Sequence, residues 1–79
     1  LNGEYEVIEA EIIESSELIN KELKNSDLPD EIRIGSIIRE KEIIIPSSNY
    51  VFKKNDTVIL LSKRDQLPTV ENMFRISSI

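Results

Sequence analysis

The sequence predicts a small α+β domain, with a four-stranded, mainly antiparallel sheet in β-α-β-β-β-α order and two helices covering one face. Three observations predict this class: alternating apolar and polar residues near the start, isoleucine and valine runs in the middle, and two short segments with apolar residues at helical spacing. The 79 residues suffice for one domain with a thin core. We expect the domain to span residues 1–79, with residues 1–4 and 76–79 as flanking segments.

The first strand and the first helix are predicted in the amino-terminal third of the chain. Residues 5–13 alternate with the period of a half-buried strand. The inward face of this strand carries Ile8, Ala10 and Ile12. A helix should follow, because serine hydroxyl groups that can cap it precede an apolar stripe at helical spacing. The residues concerned are Ser15 and Ser16 for the cap and Leu18, Ile19 and Leu23 for the stripe. This helix should end near Lys24, since turn-forming residues and Pro29 follow.

Three further strands are predicted in the centre of the chain, over residues 32–39, 43–45 and 57–62. Strict alternation along the strand at 32–39 places Ile37 on one face. The opposite face then carries Ile32, Ile34 and Ile38. Gly35 and Ser36 make the middle of this strand small enough for a close approach. The hairpin that follows should be three or four residues wide, because Glu40-Lys41-Glu42 lacks the glycine or asparagine of the tightest turns.

The second helix is predicted to begin at Asp65, which can cap it, with Pro68 tolerated in the first turn. Four apolar residues at helical spacing support this assignment: Leu67, Val70, Met73 and Phe74. The two predicted helices can cover one face of the sheet. The strands at 43–45 and 57–62 are apolar on both faces, so a second cover is required. We expect a homodimer in which the second copy covers that face, or else a neighbouring domain.

Composition excludes several classes of function. The chain contains no cysteine and no histidine, which removes disulfides, thiolate chemistry and imidazole catalysis. Its formal net charge is -5, and residues 1–31 carry ten acidic residues against two lysines, so a nucleic-acid partner is not expected. Serines without a histidine to activate them do not indicate a hydrolase. With two glycines, the chain has no glycine-rich dinucleotide fingerprint, and we expect neither enzymatic activity nor a cofactor.

The localisation expected is cytoplasmic. No apolar run reaches the length that spans a bilayer, so direct membrane insertion is not expected. Because the sequence begins with Leu1 rather than methionine, we expect it to be a piece of a longer parent protein.

Nearly the whole chain carries a resemblance to a known family. The segments that carry it are, in order, Ser16-Glu17-Leu18, Lys21 to Leu23, Leu28-Pro29, Ile34 to Arg39, Ile43 to Pro46, Asn55 to Leu60, Leu67 and Phe74. In this order and spacing they resemble the C-terminal domain of the potassium-uptake regulator TrkA, the C-lobe of the RCK family. Family members usually have glycine where this chain has Asn20, Glu40-Lys41, Asn55 and Ser62. Asparagine can adopt the left-handed conformation of such a glycine, whereas Glu40 and Lys41 do so at a cost.

The resemblance implies a regulatory, ligand-sensing domain of a potassium transport system or another cation or solute transporter, which meets the rest of the transporter or its nucleotide-binding domain. Some similar domains bind cyclic di-AMP in the cleft between two copies. In this chain the implied phosphate contact is Arg39. The implied apolar walls for an adenine are Ile38, Ile43, Ile44, Ile45 and Pro46. The alternative function is structural: a dimerisation or assembly domain with no ligand of its own.

Simpler roles remain open for each of these residues. Arg39 can end its strand in a pair with Glu40 or Glu42, and the isoleucines can form a plain dimer core. Asp56 should accept backbone hydrogen bonds in the turn before the last strand. The spacing of Glu9 and Glu11 on one strand face could serve a divalent cation or acid-base chemistry, or the two can simply form a solvated face.

Overall fold

The structure, a computed structural model, describes residues 4–76 and contains a five-stranded antiparallel sheet. The elements are β1 (Tyr5–Ile12), β2 (Ile32–Arg39), β3 (Glu42–Ile44), β4 (Thr57–Lys63), α1 (Leu67–Met73) and β5 (Phe74–Ile76). Two short 3-10 turns span Leu23–Asn25 and Arg64–Gln66. The strand order is β3-β2-β4-β1-β5. The α+β class with a small antiparallel sheet is confirmed, and most of the predicted flanking segments lie outside the described residues.

The fifth strand contradicts the prediction of four strands. Phe74 was assigned to the second helix, but α1 ends at Met73 and the chain turns into an extended edge strand. Phe74 pairs with Ile12 of β1 and is 2% exposed. Burying a phenylalanine against the sheet outweighs one further turn of a seven-residue helix, whose intrinsic stability is low. The predicted position of Pro68 in the first turn of α1 is confirmed, whereas no side chain caps this helix, so the predicted cap at Asp65 is wrong.

The predicted first helix is also wrong. Residues 15–25 form turns ending in one 3-10 turn, because several of their backbone groups bond to a distant segment and the local bonds that remain are those of turns. Asn20 N–H donates to the Phe52 carbonyl at 2.8 Å, and Leu23 N–H donates to the Tyr50 carbonyl at 2.8 Å. Asn20 has a φ of 68°, the left-handed conformation that ends a helix. Leu18 is buried nonetheless, so the predicted apolar contact forms without the helix.

A β-bulge in β2 changes which isoleucines face the core. Ile34 pairs with Leu60 and Ser36 pairs with Ile59, so Gly35 is the extra residue. A Cβ on Gly35 would lie 3.3 Å from the Ile59 carbonyl oxygen, which is the close approach expected of a small residue there. The bulge reverses the alternation, and Ile32 and Ile37 are both buried on the core face. The prediction that Ile37 faces away from Ile32 is therefore wrong.

The hairpin between β2 and β3 is tighter than predicted. Arg39 pairs with Glu42, which leaves a two-residue turn with φ values of 49° at Glu40 and 75° at Lys41. Positive φ at both central residues defines the turn whose twist matches a β-hairpin, and it usually contains glycine or asparagine. This chain adopts it with two ordinary side chains, at a conformational cost of about 1–2 kcal/mol per residue.

Replacing Lys41 by glycine should therefore stabilise the domain by about 1 kcal/mol, because glycine adopts a positive φ without steric cost. The midpoint of thermal unfolding should rise by about 5 °C. Lys21→Gly is the matched control, since Lys21 is exposed and has no positive φ, and it should lower the midpoint slightly. An unchanged or lower midpoint for Lys41→Gly would contradict the left-handed turn.

The core lies between one face of the sheet and the segments that cross it. Its buried apolar residues are Ile8, Ala10, Ile12, Leu18, Ile32, Ile37, Phe52, Val58, Leu60, Val70 and Phe74. The inward face predicted for the first strand is confirmed by the burial of its three members. Leu28 packs against this core from the connector. The opposite face of the sheet is covered by no segment of residues 4–76, since Val7 and Ile43 are 66% and 73% exposed there.

Candidate functional site: an arginine cluster and an open sheet face

Arg39 ends β2 and lies opposite the residue that precedes β4. Ile38 pairs with Thr57, so the next step of the same antiparallel register places Arg39 across from Asp56. Arg39 Nε donates to Asp56 Oδ1 at 2.8 Å, and Nη2 donates to Oδ2 at 2.9 Å. The Asp56 side chain is 2% exposed and that of Arg39 is 35% exposed. The result is a two-point ion pair with the carboxylate inside and the guanidinium at the surface.

Tyr50 closes the cluster and ties it to the core. Its hydroxyl accepts from Arg39 Nη2 at 2.5 Å and donates to Asp56 Oδ2 at 2.7 Å. The Arg39 guanidinium carbon lies 5.2 Å from the centre of the tyrosine ring, within cation–π range. The ring meets Phe52 edge to face at 5.7 Å. Because Phe52 is fully buried, the position of Arg39 is set by core packing.

The turn before β4 supplies the remaining contact of the carboxylate. Lys53 N–H donates to Asp56 Oδ2 at 2.9 Å, which confirms the predicted structural role of Asp56 in this turn. Asp56 N–H returns a bond to the Lys53 carbonyl at 3.2 Å. Asn55 has a φ of 70°, a left-handed conformation that asparagine adopts more readily than most residues. Three donors therefore converge on one carboxylate oxygen.

These contacts determine the protonation states of the cluster. Burial alone would raise the pKa of Asp56, but the hydrogen bonds from Arg39, Tyr50 and the Lys53 backbone outweigh it and lower the pKa below its usual 3.8. Burial and the neighbouring carboxylate raise the pKa of Tyr50. The hydrogen bond to Asp56 raises the pKa of Arg39. At neutral pH the cluster thus holds an ionised aspartate, a charged arginine and a neutral tyrosine.

A cleft of about 410 Å³ opens beside the cluster. Its lining residues are Arg39, Glu40, Lys53, Lys54, Asn55 and Asp56. Lys54 already pairs with Glu14 at 3.0 Å, whereas Lys53 is exposed. Its lining therefore carries three basic and two acidic side chains, and Arg39 and Lys54 are already paired with Asp56 and Glu14.

The residues predicted for the ligand site fall on two faces of the sheet. Ile38 and Ile43 are paired neighbours on the open face. Arg39 and Ile44 belong to the opposite face, where Ile44 is half-buried against the core and Arg39 contacts Asp56 and Tyr50. Ile45 is 78% exposed beyond the end of β3. Pro46, which follows it, is half-buried. A single chain therefore does not gather Arg39 and the apolar residues around one ligand.

The sequence-based interpretation missed Tyr50 and misassigned the partner of Arg39. The alternative pairing with Glu40 or Glu42 is wrong, since the ion pair is with Asp56. Seventeen residues separate the two, so local spacing carries no signal. The strand register could have indicated the pair, because it places the end of β2 opposite the start of β4. No comparable signal marks Tyr50, which reaches the pair from an irregular segment.

The open face carries a diagonal apolar stripe. Antiparallel partners share a face, and Val7 pairs with Leu61, while Ile38 pairs with Ile43. The outer patch is defined as the apolar residues on this face: Val7, Leu61, Ile59, Ile38 and Ile43. Its members come from four strands, β1, β4, β2 and β3. The two-sided apolar character predicted for the last strand is confirmed, because Val58 and Leu60 are buried in the core while Ile59 and Leu61 line the outer patch.

Glu9 and Glu11 lie on the same open face. Glu11 is paired with Arg75 at 3.0 Å. In the part of the chain that the structure describes, no group of three or more acidic side chains is arranged to hold a metal ion. The two glutamates form a charged border of the outer patch.

Comparison with known proteins identifies the family of this chain. The family model of the TrkA-C domain matches residues 7–75, and the chain belongs to this family. The chain is 38% identical over 77 residues to the Trk system potassium uptake protein TrkA of Azorhizobium caulinodans, covering 98% of this chain and 17% of that protein. It is 33% identical over 65 residues to TrkA of Halomonas elongata, covering 80% of this chain and 14% of that one.

A third relative matches this chain over a similar length. The TrkA homolog of Archaeoglobus fulgidus is 30% identical over 64 residues, covering 81% of this chain and 15% of that protein. The chain thus spans less than a fifth of the length of these relatives. Among residues 4–76, no helix is long and apolar enough to cross a membrane.

Proposed function

We propose that this chain is a regulatory domain of a potassium-uptake system, acting on the cytoplasmic side as a homodimer and without catalysis of its own. The observation that carries the proposal is the family match over residues 7–75, supported by relatives whose names state potassium uptake. The open sheet face supports the dimer. In this role a change in the packing of two copies is transmitted to the rest of the transporter or to its nucleotide-binding domain.

The ligand we propose is cyclic di-AMP, held in a cleft between two copies. A symmetric dimer presents two Arg39 side chains to a ligand with two phosphates and its own two-fold symmetry. Within the described residues, the Arg39 hydrogen bonds use Nε and Nη2, so Nη1 is the nitrogen through which a phosphate would bind.

The adenine bases would rest on aliphatic side chains near the β2–β3 hairpin. Ile43 and Ile45 are 73% and 78% exposed, so flat bases can replace water on both. Ile38 and Pro46 add half-buried surface on either side of them. Ile44, which packs against the core, would support this wall from behind.

Calorimetric titration of the purified chain with cyclic di-AMP tests this proposal. We expect saturable binding at one ligand per two chains. The informative variant is the double substitution Arg39→Gln with Asp56→Asn, which removes both charges together and so avoids leaving a buried carboxylate unpaired. It should abolish binding while circular dichroism shows a folded chain. Lys21→Gln, which removes an exposed positive charge outside the cleft, is the matched control and should bind normally.

A purely structural assembly domain is the second candidate, and one observation favours it. Asp56 and Tyr50 already occupy Nε and Nη2 of the Arg39 guanidinium, which leaves Nη1 alone and no contact through two unoccupied nitrogens for a phosphate. In this case the titration gives no heat, while the chain still self-associates. A flat titration would therefore overturn ligand sensing and leave the assembly role.

A further inference from the structure

We propose that two copies of this chain pack through their outer patches with the two-fold axis along the apolar stripe, so that Glu9 of each copy meets Arg33 of the other. This inference rests on the homodimer of the proposed function and specifies its geometry. It follows from where the charged side chains lie relative to the apolar stripe.

The stripe divides the open face into a basic and an acidic side. Leu61 pairs with Val7 on one side and with Arg33 on the other, so these three lie in one row across the sheet. Ile59 pairs with Glu9 on one side and with Ser36 on the other, which forms the next row. The diagonal from Val7 through Leu61 and Ile59 to Ile43 therefore leaves Arg33 on one flank and Glu9 on the other.

Neighbouring charges reinforce this division. Lys63 lies on the open face two residues beyond Leu61, on the Arg33 side of the stripe. Glu11 lies on the Glu9 side, where Arg75 neutralises it. Arg33 and Glu9 are both exposed, and within residues 4–76 neither side chain forms an ion pair. The flanks thus carry opposite charges that remain free to pair across an interface.

A two-fold axis that lies in the plane of the interface can bring the stripe of one copy onto the stripe of the other in two orientations. An axis perpendicular to the stripe brings each flank against the same flank of the partner, so Glu9 faces Glu9 and Arg33 faces Arg33. An axis parallel to the stripe brings each flank against the opposite flank, so both Glu9–Arg33 pairs form. Like charges that face each other across an interface oppose binding, whereas complementary flanks favour it. The charges therefore select the parallel axis.

The slope of the stripe sets the angle between the two sheets. It crosses three strand spacings of about 4.8 Å while it advances four residues of about 3.3 Å each, so it lies at about 45° to the strands. Rotation by 180° about an axis at this angle makes the strands of the two copies cross at about 90°. Orthogonal crossing is one of the two common ways in which sheets pack face to face.

A charge swap at the two positions tests this geometry. Glu9→Arg alone and Arg33→Glu alone should each weaken self-association by at least tenfold at low salt, since each creates like-charge pairs. An equimolar mixture of the two single variants should form heterodimers with nearly the wild-type affinity, because both pairs are then opposite in charge. Sedimentation equilibrium gives all four association constants, with wild type included. Glu71→Arg on the exposed side of α1 is the matched control and should change nothing.

The outcomes distinguish an incorrect two-fold axis from the absence of a dimer. If wild type dimerises but neither single variant weakens it, or if the mixture does not recover, the parallel axis is wrong while the dimer stands. A wild-type chain that stays monomeric would overturn both.

Discussion

Replacing Asp56 by alanine should lower the free energy of unfolding by about 3 kcal/mol, a large part of the stability of a domain this small. The substitution removes the acceptor for the Arg39 guanidinium, the Tyr50 hydroxyl and the Lys53 amide. Tyr50 and the amide lie partly inside the fold and lose a partner there, while Arg39 can turn to water. Among residues 4–76 every buried side-chain polar atom has a hydrogen-bond partner in the wild-type structure. The substitution would leave buried donors without an acceptor, and each such group costs free energy. Urea unfolding at pH 7 measures the effect.

Acid provides an internal control for the same variant. Because the folded-state pKa of Asp56 lies below its usual value of 3.8, the ion pair contributes its full stability above that value and loses it as the pH falls through the folded pKa. The stability difference between wild type and Asp56→Ala should therefore be constant from pH 7 to 5 and shrink below pH 4. Asp30→Ala, which removes an exposed aspartate, should cost little at any pH. A loss below 1 kcal/mol for Asp56→Ala would contradict the role assigned to the cluster.

Replacing Val7 by glutamate should weaken the dimer by at least about 30-fold, because the new carboxylate loses water in the interface and faces its copy across the two-fold axis. Val7 is 66% exposed in one chain, so the fold of the monomer should be unaffected. Sedimentation velocity over a range of concentrations measures the shift, and thermal unfolding at low concentration checks the fold.

Asn72→Glu is the matched control for this variant. It adds the same charge to an exposed position of α1, on the side of the sheet away from the outer patch, and should leave the dimer intact. Equal self-association of Val7→Glu and wild type would show that the outer patch is not the interface.

The strands were predictable from the sequence because their side chains alternate at a period that only a strand satisfies. The limits of β2 agree with the predicted ones, and β1 and β4 agree within one residue. The continuous apolar runs at 43–45 and 57–62 also indicated a sheet with apolar residues on both faces, and the structure leaves one of those faces open as the outer patch. The family resemblance derived from these segments is confirmed by the match over residues 7–75.

The predictions that were wrong concern features that depend on contacts between residues far apart in the sequence or on unusual backbone conformations. The segment at 15–25 has helical spacing, but backbone hydrogen bonds to residues 48–52 replace the helix. The bulge at Gly35 reversed the facing of Ile37, since one extra residue exchanges the two faces of a strand. The two-residue turn at Glu40 was missed because its usual residues are absent. Each error therefore has a tertiary or backbone cause that a local pattern does not contain.

The candidate site was predictable only in part. Arg39 was selected because it ends a strand beside an apolar hairpin, and it does line a surface cleft. Its fixation by Asp56 and Tyr50 depends on the register of β2 and β4 and on an irregular segment. The division of the open face into an acidic and a basic flank depends on the same register. Both features are properties of the folded sheet.

The molar mass of the wild-type chain across a wide concentration range decides whether a second copy covers the open sheet face. We expect a concentration-dependent rise from 9.1 kDa to twice that mass, with no higher species. A mass of 9.1 kDa at every concentration up to the millimolar range would contradict it.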